Sequence, residues 1–176
     1  MPLLSASSST LVIVDFQARL MPAIHDGPRL VANAKRLVDA AGLLSVPVLM
    51  TEQNPAGLGG TVAELAGAGP VVAKMSFDCC AEPAFLDALA GDGQLVLCGC
   101  ETHVCLGQTV LSLLEHRRRV VVVQDASGSR LPESKEAALR RLERHGAEIV
   151  TAEMVIFEWL RTAAHPAFRE VLKLVK

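Results

Sequence analysis

Apolar residues along this chain alternate between two rhythms. Short unbroken runs are followed by longer stretches in which apolar positions return at helical spacing. The runs predict strands at Thr10–Asp15, Val46–Thr51, Val71–Met75, Gln94–Cys100, Val120–Gln124 and Ala147–Ala152. The periodic stretches predict helices at Pro28–Leu44, Glu82–Ala90, His103–His116 and Glu133–His145, with two more near 153–162 and 166–175. In the first helix Leu30, Val31, Ala34, Leu37, Val38 and Ala41 share one face. The Gly- and Pro-rich stretch 53–61 reads as a loop, with a short helix near Thr61–Leu65. Strands that are apolar throughout, alternating with helices, imply a parallel sheet covered on both faces. The expected class is therefore an α/β three-layer fold, with residues 1–176 as one domain.

Composition narrows the function. A net charge of -2 gives no global field to attract nucleic acid, and 3% aromatics with no tyrosine leave no base-stacking platform. The basic run Arg117–Arg119 reads as a solvated helix end. No apolar stretch is long enough to span a membrane, and the N-terminal segment from Met1 lacks the features of a secretion signal. Five cysteines, an odd number, argue for reduced thiols and a cytoplasmic setting rather than a disulfide framework.

Several polar residues fall at the carboxyl ends of the strands, the edge where open α/β sheets bind ligands. They are Asp15, Glu52, Lys74, Cys105 and Asp125. Asp15 is either a turn-capping carboxylate or a general base. Lys74 either snorkels to solvent or holds neighbouring anions. Cys105 is either a structural thiol or a nucleophile. Its place in the first turn of a helix favours thiolate, and such cysteines have pKa values of roughly 3.5–7.5. Asp125 reads as a loop-ordering residue. A zinc site built from Cys98, Cys100, His103 and Cys105 is disfavoured, because His103 and Cys105 diverge by about 200° on a helix. No phosphate-binding loop is present.

These residues resemble the isochorismatase-like cysteine hydrolases over nearly the whole chain. The strand ending in Asp15-Phe16-Gln17, the strand-end Lys74, and the series Gly99, Thr102, Cys105, Thr109 carry the likeness. Segments 15–24 and 51–65 look most like the small isochorismatase-domain-containing branch. The resemblance implies a six-stranded parallel sheet of order 3-2-1-4-5-6 and a catalytic triad of Asp15, Lys74 and Cys105. It also implies a cis peptide between Cys100 and Glu101, an oxyanion hole from the amides of Glu101 and Cys105, and a homo-oligomer. Nicotinamidases of the family carry a metal-binding Asp-x-His after strand two. Here that region reads Thr51-Glu52-Gln53-Asn54, so neither metal nor other cofactor is expected.

The expected activity is hydrolysis of a C–N bond in a small-molecule amide or ureido substrate, through a thioester on Cys105. Phe16, Gln17, Phe77 and Thr102 are the expected substrate contacts. Three alternatives stay open. One is a non-catalytic binding or assembly domain on the same fold. The second is an isochorismate-type hydrolase, whose vinyl-ether chemistry does not call for a thiol. The third is a redox role for Cys105.

Overall fold

Runs of valine, leucine and isoleucine form six strands: β1 (Ser9–Val14), β2 (Val48–Gln53), β3 (Val71–Lys74), β4 (Gln94–Gly99), β5 (Val120–Val123) and β6 (Glu148–Val150). The computed structural model describes residues 3–89 and 91–176. Every neighbouring pair of strands is parallel, and the order is β3-β2-β1-β4-β5-β6, as the family resemblance implied. The helices are α1 (Gly27–Leu43), α2 (Pro55–Leu58), α3 (Pro83–Ala88), α4 (Cys105–Glu115), α5 (Pro132–Arg144), α6 (Ala152–Leu160) and α7 (Phe168–Val175).

Alternate residues of each strand face opposite layers. Leu11 and Ile13 of β1, Met50, and Val96 and Cys98 of β4 meet α1, α6 and α7. Val12 and Val14, Leu49, and Leu95 and Leu97 meet α3, α4 and α5. Val155, Ile156, Trp159, Leu160 and Val171 are buried against the first of these layers. Most apolar residues of α6 are therefore interior to the chain, while Met154 and Phe157 stay exposed.

Several boundaries move for identifiable reasons. β2 begins two residues later than expected, because Pro47 has no N–H to donate and only its carbonyl joins β1, through Leu11 N. The short helix expected at 61–65 is a series of turns. A single helical turn, α2, forms instead within the loop, opened by Pro55 at its first position. The helix expected over 82–90 spans Pro83–Ala88. Ala90, like Met1 and Pro2, lies outside the described residues. α4 starts at Cys105 rather than at 103, since the Thr102 N–H is taken by Gly128 O and the Val104 N–H by Glu101 O.

Gly99 is required where β4 meets β1. Its φ is +156°, and a Cβ there would stand 2.3 Å from Val14 O. That close approach brings the ends of β1 and β4 together beneath the site. Among the described residues no helix is long and apolar enough to cross a membrane.

Candidate active site

The site follows from strand register. Val14 pairs with Thr51 on β2 and with Gly99 on β4, so the next residue, Asp15, emerges between two strand ends. Asp15 takes φ 53°, a left-handed conformation that aspartate tolerates better than most side chains. Lys74 pairs through Gln53, one strand further out, and reaches across β2. Cys105 is the first residue of α4. Asp15, Lys74 and Cys105 are all buried, with exposures of 0%, 3% and 7%.

Lys74 Nζ donates to Asp15 Oδ2 at 2.8 Å and to the carbonyls of Ser76 and Phe77 at 3.2 Å each. The other carboxylate oxygen, Oδ1, accepts from Thr51 Oγ1 at 2.7 Å. The Cys105 thiol lies within electrostatic reach of both Asp15 and Lys74. Burial works most strongly against the Lys74 ammonium, but Asp15, Cys79 and Cys105 together outweigh it and hold the group above its ordinary value.

Burial, and next the negative charge of Asp15, push the Cys105 thiol up; Lys74 pulls the other way and does not prevail. The expectation of a resting thiolate is therefore corrected. The helix start is present, but a carboxylate and an apolar wall outweigh it, so the resting site favours a neutral thiol against an ion pair.

The Cys100–Glu101 peptide is cis. Among the described residues neither the Glu101 nor the Cys105 amide donates to a protein acceptor, so both are free to meet a ligand oxygen. The Glu101 carboxylate is anchored by Arg130, which donates from its backbone N at 2.8 Å and from Nε at 3.1 Å. Among the described residues the buried Thr102 hydroxyl has no protein partner.

The structure redistributes the expected substrate contacts. Phe16 packs in the layer of α1, away from Cys105, which belongs to the layer of α4. Gln17 is fully buried, and its amide is consumed by Gln53 and Gly59: Nε2 donates to Gln53 O and Gly59 O, and Oε1 accepts from Gln53 N. Both side chains are committed to the scaffold. Phe77 accepts from Lys74 through its carbonyl, and the residue is exposed. Glu52 ties down Thr61, and the Asp125 carboxylate accepts from Ala152 N at the start of α6.

Sequence reasoning missed Thr51 and Cys79. The Cys79 thiol donates to Thr51 Oγ1 at 3.9 Å, and its amide donates to Thr109 Oγ1 at 3.0 Å, one helical turn beyond Cys105. The signal for Thr51 was its place two residues after Leu49 on the same strand face. All five cysteines are free. Cys98 and Cys100 face the α1 layer and Cys105 the α4 layer, so the sheet separates them. Among the described residues no cluster of three or more His, Cys, Asp or Glu side chains is disposed to hold a metal.

The chain is similar to known proteins along its length. Residues 9–154 match the Isochorismatase domain. Isochorismatase domain-containing protein 2A of Mus musculus is 41% identical over 173 residues, covering 96% of this chain and 83% of the relative. The solved structure of MAR1 ribonuclease from Caenorhabditis elegans superposes with a TM-score of 0.94 at 35% identity, covering 99% of this chain and 92% of that one. YcaC from Pseudomonas aeruginosa, solved with hexane-2,5-diol and covalent acrylamide, superposes with a TM-score of 0.89 at 25% identity, covering 98% and 91%. The matched domain, the sheet order and the relatives agree, and the chain belongs to the isochorismatase-like hydrolase family.

Proposed function

We propose that this protein is a cysteine hydrolase that cleaves a C–N bond in a small amide or ureido compound by acyl transfer to Cys105. One observation carries the reading: a buried thiol at the start of a helix, electrostatically coupled to a buried carboxylate that a buried lysine holds in place. Asp15 takes the thiol proton as Cys105 Sγ attacks the carbonyl carbon. The carbonyl oxygen gathers charge and is received by the amides of Glu101 and Cys105. One such donor contributes about 2.7–4 kcal/mol in the transition state. The C–N bond breaks, and Asp15 gives its proton to the leaving nitrogen. Water then attacks the thioester, passing a proton to Asp15. The C–S bond breaks, the acid leaves, and the proton returns to Cys105. Lys74 keeps the carboxylate anionic between these transfers.

The raised thiol is consistent with this scheme. It keeps Cys105 protonated until Asp15 removes the proton during attack. Covalent acrylamide on a related protein also favours a nucleophile in this family that reacts with soft electrophiles. A ribonuclease reading, drawn from the C. elegans neighbour, has less support here. The dense basic run Arg117–Arg119 lies between α4 and β5, at the opposite edge of the sheet from Cys105.

Ammonia release from a panel of small primary amides and carbamoyl compounds tests the proposal. At least one compound is turned over by the wild type and not by Cys105→Ala. Equal turnover by that variant overturns the nucleophile, and no turnover of any compound favours the non-catalytic alternative.

A further inference from the structure

Asp15 is gripped at both ends by one residue. Its amide donates to Thr51 O at 3.2 Å, and its Oδ1 accepts from Thr51 Oγ1 at 2.7 Å. Thr51 is buried on the strand face that also carries the apolar Leu49. A hydroxyl placed there without a partner is destabilising, so its single proton is committed to the carboxylate. The Cys79 thiol approaches the same oxygen as a donor at 3.9 Å and leaves the Thr51 proton to point at Asp15. The two carboxylate oxygens are thereby made inequivalent: Oδ1 belongs to Thr51 and Oδ2 to Lys74. Rotation of the carboxylate plane would break both bonds.

We propose that Thr51 is the positioning residue for the Asp15 base, with Cys79 fixing the direction of its hydroxyl. This rests on the reading of Asp15 as the group that takes the Cys105 proton. Thr51 acts by holding the carboxylate plane that receives the proton. Valine in its place keeps the shape and the β-branch of threonine but removes the donor. Lys74 alone then anchors the carboxylate, and fewer molecules present it to the thiol. Serine restores the donor and loses only the β-branch that restricts its rotor.

The rate of Cys105 alkylation by iodoacetamide near neutral pH, followed by peptide mass spectrometry, tests this without a substrate. Thr51→Val slows alkylation about 10- to 100-fold, the loss expected for a hydrogen bond to a charged acceptor. Thr51→Ser stays within about threefold, the cost of choosing among three staggered rotamers. Cys79→Ala slows it less than Thr51→Val. A merely structural role predicts the reverse, since a loosened site exposes Cys105 and alkylates as fast or faster. Asp15→Asn separates the two claims. Amide turnover is its readout, because loss of the Asp15 charge by itself eases thiol ionisation. If it turns over amides at the wild-type rate, the base itself is wrong. If it is inactive while Thr51→Val alkylates like wild type, only the positioning role is overturned. Should Thr51→Val fail to fold, Thr51→Ala against Thr51→Ser gives the same comparison.

Discussion

Lys74 and Asp15 form a 2.8 Å ion pair in which neither side chain has any exposure. A pair so placed gives up its hydration, and the attraction between the charges need not repay the loss. Under the proposed function, catalysis rather than stability accounts for its presence. Removing one partner leaves a buried charge unmatched, which costs about 3–5 kcal/mol. Lys74→Met therefore lowers the urea midpoint sharply and abolishes turnover. The double variant Asp15→Asn with Lys74→Met recovers much of the stability and none of the activity. A double variant no more stable than Lys74→Met alone would contradict this account of the pair.

Alkaline pH destabilises the fold through its thiols. Burial pushes Cys79 up to about 11 from 9.0, and Cys80 and Cys100 up to about 12; Cys98 and Cys105 move the same way. Above pH 9 an unfolded chain releases these protons while the folded chain holds them, so stability falls as pH rises. The raised Lys74 adds to the loss above 10.5, and Lys135, lowered by burial and by Arg29, opposes it. The urea midpoint is lower at pH 10 than at pH 8. An unchanged or higher midpoint at pH 10 would count against the burial of the thiols.

Gln17 ties the end of β2 to the loop that follows it. Gln17→Leu removes three hydrogen bonds and strands Gln53 N and Gly59 O. At about 1 kcal/mol for each bond, the loss is about 3 kcal/mol, and urea denaturation measures it. Wild-type stability in this variant would return Gln17 to the pocket.

The order of elements and their apolar faces were legible because buried strands and amphipathic helices leave periodic patterns. Strand order came from the family resemblance, since no local pattern in β1 names β2 and β4 as its neighbours. Asp15, Lys74 and Cys105 could be grouped because parallel strands share one carboxyl edge. The partition of their neighbours could not be read this way. Phe16 and Gln17 directly follow Asp15, yet its left-handed backbone turns the chain, sending one ring into the α1 layer and one amide into the loop after β2. Thr51 was overlooked because a threonine in a strand has ordinary β-propensity, and its role exists only in the register with Val14. The protonation of Cys105 was misjudged for a related reason. The helix start is visible in sequence, whereas the desolvation that outweighs it arises only on folding.

The central claim is that Cys105 carries an acyl group during turnover. Wild-type protein and an Asp15→Asn variant, each mixed with a turned-over amide, quenched in acid and digested, give the most direct measurement. The account predicts that the wild-type peptide containing Cys105 gains the mass of the acyl group, that hydroxylamine removes it, and that Asp15→Asn shows no such gain. Steady hydrolysis with no adduct on Cys105, or with the adduct on Cys79, would contradict it.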